Sequence, residues 1–225
     1  MVLLASCAEL PPPPILPPHA DAAPGAVGSD TAMLIVGGAT DISGHGVGAA
    51  IRFEHQQTDR TTLGLDLTGG RIARGTVGGK GSGSSEPERG VFGLRGYGRY
   101  SFSENVATGG GLGVSIMTTG LVTGTADTSV LFSRPSDTFI PVGQIDLVFA
   151  QPLHNVKFHG TGGDVYDNLA GRSLLMGFDF DGIIPIESGN RFSFDIGWLW
   201  GLPIDDLGDG DFILHTSFAD TQHWD

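Results

Sequence analysis

The sequence predicts an all-β fold, an antiparallel up-and-down transmembrane β-barrel of about ten strands, with eight as the other admissible count. Three observations predict it. Apolar side chains alternate with polar ones over stretches of about nine to thirteen residues, whereas soluble strands average about five or six. Within such a stretch charge recurs on one face, as Arg52 with Glu54, Arg95 with Arg99, Asp179 with Asp181, and Arg191 with Asp195. Aromatic residues sit toward the strand ends on the other face: Phe92 and Phe102, Phe139 and Phe149, Phe212 and Phe218, the placement of interfacial girdles. No apolar run approaches the roughly 18–20 residues of a membrane-spanning helix. A closed barrel is then the one way for this chain to cross lipid with every backbone group satisfied.

A length of 225 residues suits a single barrel domain, and 37 glycines with 16% charged residues suit close-packed strands. The formal net charge of −13 excludes nucleic acid as a partner, because phosphates would be repelled. The seven histidines show no tight ligand spacing, so the spacing predicts neither a metal nor another cofactor. Gly78–Gly83 has no P-loop spacing and reads as flexible linker.

The first element is not a strand. Pro11–Pro14, Pro17, Pro18 and Pro24 stiffen the chain into an extended segment that joins neither helix nor central strand. Residues 7–30 are therefore expected to be a tether, with the barrel over 31–219 and a short tail over 220–225. Strands are predicted near 32–39, 47–54, 61–74, 92–102, 106–118, 138–150, 155–160, 174–184, 191–200 and 211–218, from period-two alternation. The clearest is 191–200, where Phe192, Phe194, Ile196, Trp198 and Trp200 share one face and Arg191, Ser193, Asp195 and Gly197 the other. Tight turns are expected at 56–59, 103–105, 152–155 and 187–190. Longer links are expected near 75–90, 119–137, 161–171 and 202–210. An even count puts both chain ends on the rim with the short turns.

Two resemblances add to this reading. Leu4-Ala5-Ser6-Cys7, holding the chain's single cysteine, resembles the lipobox of bacterial lipoproteins. It implies removal of residues 1–6 as a signal-peptide remnant and lipid attachment at Cys7, and Ala8 after the cysteine implies the outer membrane. Residues 31–219 resemble the bacterial outer-membrane β-barrel class in architecture, which implies a Gram-negative outer membrane as the lipid partner and periplasmic termini. No feature identifies a protein partner. The chain ends His223-Trp224-Asp225, one residue off the terminal aromatic of that class.

With the apolar face toward lipid, the lumen collects Arg52, Arg95, Arg99, Lys157 and Arg191 against Glu54, Asp66, Asp146, Asp179, Asp181 and Asp195. Buried charges need partners, so the expectation is a salt-bridged network across the barrel that largely plugs it, in a non-enzymatic structural or surface-interaction protein. The alternative is a soluble β-barrel or sandwich lipoprotein binding a small ligand in an apolar interior. A third reading is an outer-membrane enzyme. His215-Thr216-Ser217 resembles the His-x-Ser pair of lipid A deacylases, though no Glu follows Ser217. Asp179 and Asp181 lack the Asp-x-His partner of omptin proteases.

Overall fold

In the computed structural model, the described residues are 19–40, 44–74, 89–118, 120–154, 157–159, 165–167, 172–186, 190–203 and 211–224. Cys7 and the lipobox-like string lie outside them.

The barrel strands are β1 (Asp30–Thr40), β2 (Gly44–Gln56), β3 (Thr61–Arg74), β4 (Arg89–Ser101), β5 (Val106–Met117), β6 (Val122–Ser133), β7 (Ile140–His154), β10 (Ser173–Pro185), β11 (Arg191–Pro203) and β12 (Asp211–Trp224). Two short strands, β8 (Lys157–His159) and β9 (Val165–Asp167), pair with each other between β7 and β10. The ten long strands form a closed antiparallel barrel in chain order. β1 pairs with β2 on one side and with β12 on the other, so that Asp30 faces His55 and Trp224.

The count of ten agrees with the alternation, but one expected strand is not in the barrel and one barrel strand was not expected. Val122–Ser133, expected to be part of a long link, is barrel strand β6. Of the segment expected near 155–160, the described residues Lys157–His159 form β8, which pairs with β9 outside the barrel sheet. β6 escapes the pattern because its faces differ little in hydrophobicity. Thr123, Thr125, Asp127 and Ser129 point inward, while small Gly124, Ala126 and Thr128 share the outward phase with Val122, Val130 and Phe132. It becomes a strand through the ladders that β5 and β7 offer on either side. The turn at 152–155 shifts accordingly: Pro152–His154 continue β7, and the tight connection is 134–139. Both described ends, Asp30 and Trp224, lie on the rim that carries the connections 57–60, 102–105 and 134–139.

The phase of the alternation is as read. Leu34, Val36, Ile51, Phe53, Leu65, Leu67, Leu94, Leu147, Ile196, Trp198 and Trp200 are exposed on the outer surface. Arg52, Glu54, Asp66, Arg95, Arg99, Asp146, Asp179, Asp181 and Asp195 are buried inside. A water-soluble barrel would have these sets reversed. Small apolar clusters flank the buried charges on the β7–β10 side: Ile140, Val142 and Ile183 toward the terminal rim, Val148, Ala150 and Leu175 toward the other. The charged belt lies between them.

The end of the expected tether enters the barrel. His19, Ala20, Asp21 and Ala22 are buried. Ala20 packs on Met33, Ile35, Ala50 and Ala219, and Ala22 packs on Ala107 and Leu131. The Ala22 amide donates to Ser133 Oγ at 3.0 Å and the Gly25 amide to Gln56 Oε1 at 3.2 Å. Gly28, at φ 86°, turns the chain into β1, a conformation that glycine takes without steric cost. Small side chains from Ala20 to Ala26 let this segment lie against the wall.

Candidate functional site in the barrel lumen

The belt is built from strands whose inward positions carry charged residues, with a glycine at a few places between them. Glu54, Gly64 and Tyr97 lie abreast on β2, β3 and β4. A Cβ on Gly64 would overlap the Tyr97 ring, so the missing side chain is what lets Tyr97 lie across β3 and donate from its hydroxyl to Glu54 Oε1 at 2.6 Å. The same device recurs where Asp179, Gly197 and His215 lie abreast on β10, β11 and β12. A Cβ on Gly197 would overlap both Asp179 and His215. These side chains span a strand to meet.

One wall, formed by β2, β3, β4 and β6, is cationic and self-neutralised. Asp66 is fully buried and accepts from two guanidinium groups, Arg52 Nε at 2.8 Å and Arg95 Nη1 at 2.9 Å. Arg95 also makes a two-pronged pair with Asp127, at 2.7 Å from Nε and 2.6 Å from Nη2. Such bidentate pairs are the strong form of the interaction. Tyr97 lies under Arg95 and Arg52, whose guanidinium carbons are 4.6 and 5.3 Å from its ring centre, a cation–π arrangement. Arg99 is held more loosely, 3.6 Å from Glu54 and 3.5 Å from Thr62 Oγ1, with its Nε unpartnered.

The opposite wall, β7 and β10 to β12, is acidic. Asp146 accepts from Gln144 Nε2 at 2.6 and 2.7 Å. His215 sits between two carboxylates, with Nε2 3.1 Å from Asp179 Oδ1 and Nδ1 3.2 Å from Asp195 Oδ2. His19 reaches this wall from the inserted segment. Its Nδ1 lies 2.8 Å from Ser193 Oγ and 3.4 Å from Asp181 Oδ1, and its Nε2 lies 2.8 Å from Ser217 Oγ. Its φ of 43° is unusual for a residue with a side chain, and the two serine contacts on one ring hold it there.

The expected lumen residues named above, Arg191 and Lys157 apart, are thus inside, and the structure supplies the partners that spacing left unassigned. Arg95 and Arg99 meet acids on nearer strands, Arg95 closely and Arg99 loosely, because β5, β6 and β7 lie between β4 and β10. Arg191 is half-exposed at the rim and pairs with Asp21 of the inserted segment at 3.1 Å, not with Asp195. The Lys157 side chain lies outside the described residues. Spacing missed Asp127, because β6 went unread, and His19 and Asp21, because a proline-rich segment gives no sign of entering a barrel. His215 and Ser217 share the inward face as period two requires. The Ser217 hydroxyl, however, meets His19 and, at 3.4 Å, Asp195, while both His215 nitrogens face aspartates.

The sequence matches no protein-family model and no curated protein. Among solved structures, the chain is similar to the beta domain of the Bordetella autotransporter BrkA, with 16% identity, a TM-score of 0.50 and coverage of 89% of this chain and 100% of that one. It is also similar to an outer membrane channel from Pseudomonas putida F1, with 11% identity, a TM-score of 0.50 and coverage of 92% and 100%. The translocator domain of autotransporter NalP from Neisseria meningitidis matches with 9% identity, a TM-score of 0.52 and coverage of 88% of each chain. At these identities the likeness is one of fold.

Proposed function

We propose that this chain is a non-enzymatic bacterial outer-membrane β-barrel, a structural or surface-interaction protein with a charged, largely filled lumen and periplasmic termini. The observation that carries the reading is the inverted distribution of side chains. Trp198 and Trp200 are 42% and 44% exposed on the outer face while Asp66 and Asp181 are fully buried inside. Burying six strand acids and three arginines makes sense only if the outer face is apolar for a solvent that is itself apolar. The fold neighbours, among them an outer membrane channel and two autotransporter domains, support the location.

The filled lumen rests on the cationic wall, the inserted segment and the apolar clusters on the β7–β10 side. The described cavity at the terminal rim, about 270 Å³ and lined by Asp21, Glu54, Arg99 and Arg191, is ringed by paired charges. Against an enzyme stands the burial of the best nucleophile candidate. Ser217 is 5% exposed and its neighbour His19 is 1% exposed, so a hydroxyl next to an imidazole has no substrate within reach. Lipid attachment at Cys7 belongs to the same reading. The twelve steps from Cys7 to His19 allow a reach of at most about 40 Å at about 3.3 Å per residue, which is long enough for an acyl chain on Cys7 to meet the nearer leaflet.

Three measurements test the reading. In bilayers containing brominated lipids, tryptophan fluorescence should be strongly quenched, and unchanged fluorescence would favour the soluble alternative. In planar bilayers the wild-type protein should conduct little, whereas large stable channels would show an open lumen. Intact mass should show loss of residues 1–6 and added acyl mass, and a mature chain starting at Met1 would end the lipoprotein part.

A further inference from the structure

We propose that Asp179, Asp195 and His215, with Asp181 beside them, bind a divalent transition-metal cation inside the barrel. Ligand atoms of the first three lie within 4.8 Å of one another, brought together from β10, β11 and β12 across the gap that Gly197 leaves. The two imidazole–carboxylate separations are 3.1 and 3.2 Å. Ligands about 2.1 Å from one ion stand about 3.0–3.4 Å apart, depending on geometry; one imidazole–carboxylate pair already meets that spacing, and the third ligand atom, within 4.8 Å of the other two, closes in on the ion.

A second observation points to a ligand here. Both carboxylate oxygens of Asp181, which is fully buried, and Asp195 Oδ1 have no hydrogen-bond partner. Asp181 lies directly opposite Asp195 in the β10–β11 register, with both side chains turned inward and buried. The nearest cationic candidate, His19 Nδ1, is 3.4 Å away and is already in contact with Ser193 Oγ at 2.8 Å. Native proteins rarely leave buried carboxylate oxygens without a partner, and a cation is the partner that carboxylates lining one space share.

The charge balance agrees. On the cationic wall, Arg52, Arg95 and Arg99 meet Asp66, Asp127 and Glu54 one for one. On the acidic wall, Asp146, Asp179, Asp181 and Asp195 face two imidazoles among the described residues. A divalent ion removes two units of that excess. The mixed set of carboxylate oxygens and one imidazole nitrogen favours Zn²⁺, Mn²⁺ or Co²⁺ over Ca²⁺ and Mg²⁺, which prefer oxygen alone.

The test uses full-length protein folded in detergent, stripped with chelator, and dialysed against micromolar Zn²⁺ or Mn²⁺. Metal counting should give one tightly held equivalent, and His215→Gln and Asp195→Asn should each weaken it by about tenfold or more. Both variants are checked for folding by the heat-dependent gel shift of closed barrels. Three outcomes overturn the proposal: no retained equivalent in the wild type, unchanged affinity in both folded variants, or loss of the ion on His55→Gln. The last would place binding at the exposed Asp30–His55 pair, where Nδ1 and Oδ1 are 2.8 Å apart. Should neither lumen variant fold, Co²⁺ added to the wild type decides. Intense visible bands of a low-coordinate site support the proposal, and the weak spectrum of the hydrated ion overturns it.

Discussion

The two walls of the lumen use the same parts and reach different results. On the cationic wall Asp66 serves Arg52 and Arg95 at once, Asp127 closes the other side of Arg95, and Tyr97 fills the space beneath. On the acidic wall glycine again lets residues on alternate strands meet, yet four aspartates share two histidines and three carboxylate oxygens go unpartnered. The difference teaches that burying charge in a barrel is a local problem. An up-and-down barrel makes sequence neighbours spatial neighbours, so arginines at 52, 95 and 99 and aspartates at 146, 179, 181 and 195 become separate faces. Each must be neutralised where it stands.

That contrast is open to direct test by substitution, with stability measured by denaturant unfolding in micelles and metal removed by chelator. Asp66→Ala should have the largest effect, a loss of about 3–5 kcal/mol, because it takes a shared, fully buried acceptor from two guanidinium groups at once. A loss under about 1 kcal/mol would mean that the cationic wall is not a closed network. Arg99→Ala comes next at about 1.5–3 kcal/mol, the range for hydrogen bonds to charged groups. Its contacts are long and its Nε is unpartnered, so it should cost less than the 3–5 kcal/mol that a fully paired, fully buried arginine implies. An equal loss from Arg99→Ala and Asp66→Ala would contradict the ranking. Gly197→Ala should cost about 1–3 kcal/mol by overpacking, since its new Cβ meets Asp179 and His215. Gly96→Ala, where nothing lies within 4 Å of a new Cβ, should change little, and similar losses from both would refute the spacing role of glycine. Asp181→Asn is the smallest and differs in sign: without metal it should be neutral or stabilising by about 1 kcal/mol, because it removes an unpartnered buried charge. A clear destabilisation would show that Asp181 has a partner in the metal-free protein.

Much of this was legible in the chain. Period-two alternation over long strands determined a barrel with an apolar outer face, because each inward step must be followed by an outward one. The doubly charged strands, such as the one carrying Asp179 and Asp181, fixed which face turned inward, and the structure places every one of those charges but Arg191 fully inside. Where the two faces of a strand differ little, as in Val122–Ser133, the pattern carries no signal, and only the ladders of β5 and β7 make it β6. The compensating placement of Lys157–His159 outside the barrel sheet left the count intact. Tertiary structure alone decided the pairings, because partners such as Arg95 with Asp127, or Asp179 with His215, lie on strands two apart and meet only over an intervening glycine. It alone decided that His19 and Asp21 belong to the lumen. Their burial depends on space and hydroxyl partners supplied by β11 and β12, near the far end of the chain, and no local pattern around residue 19 encodes a cavity assembled from residues more than 170 positions away.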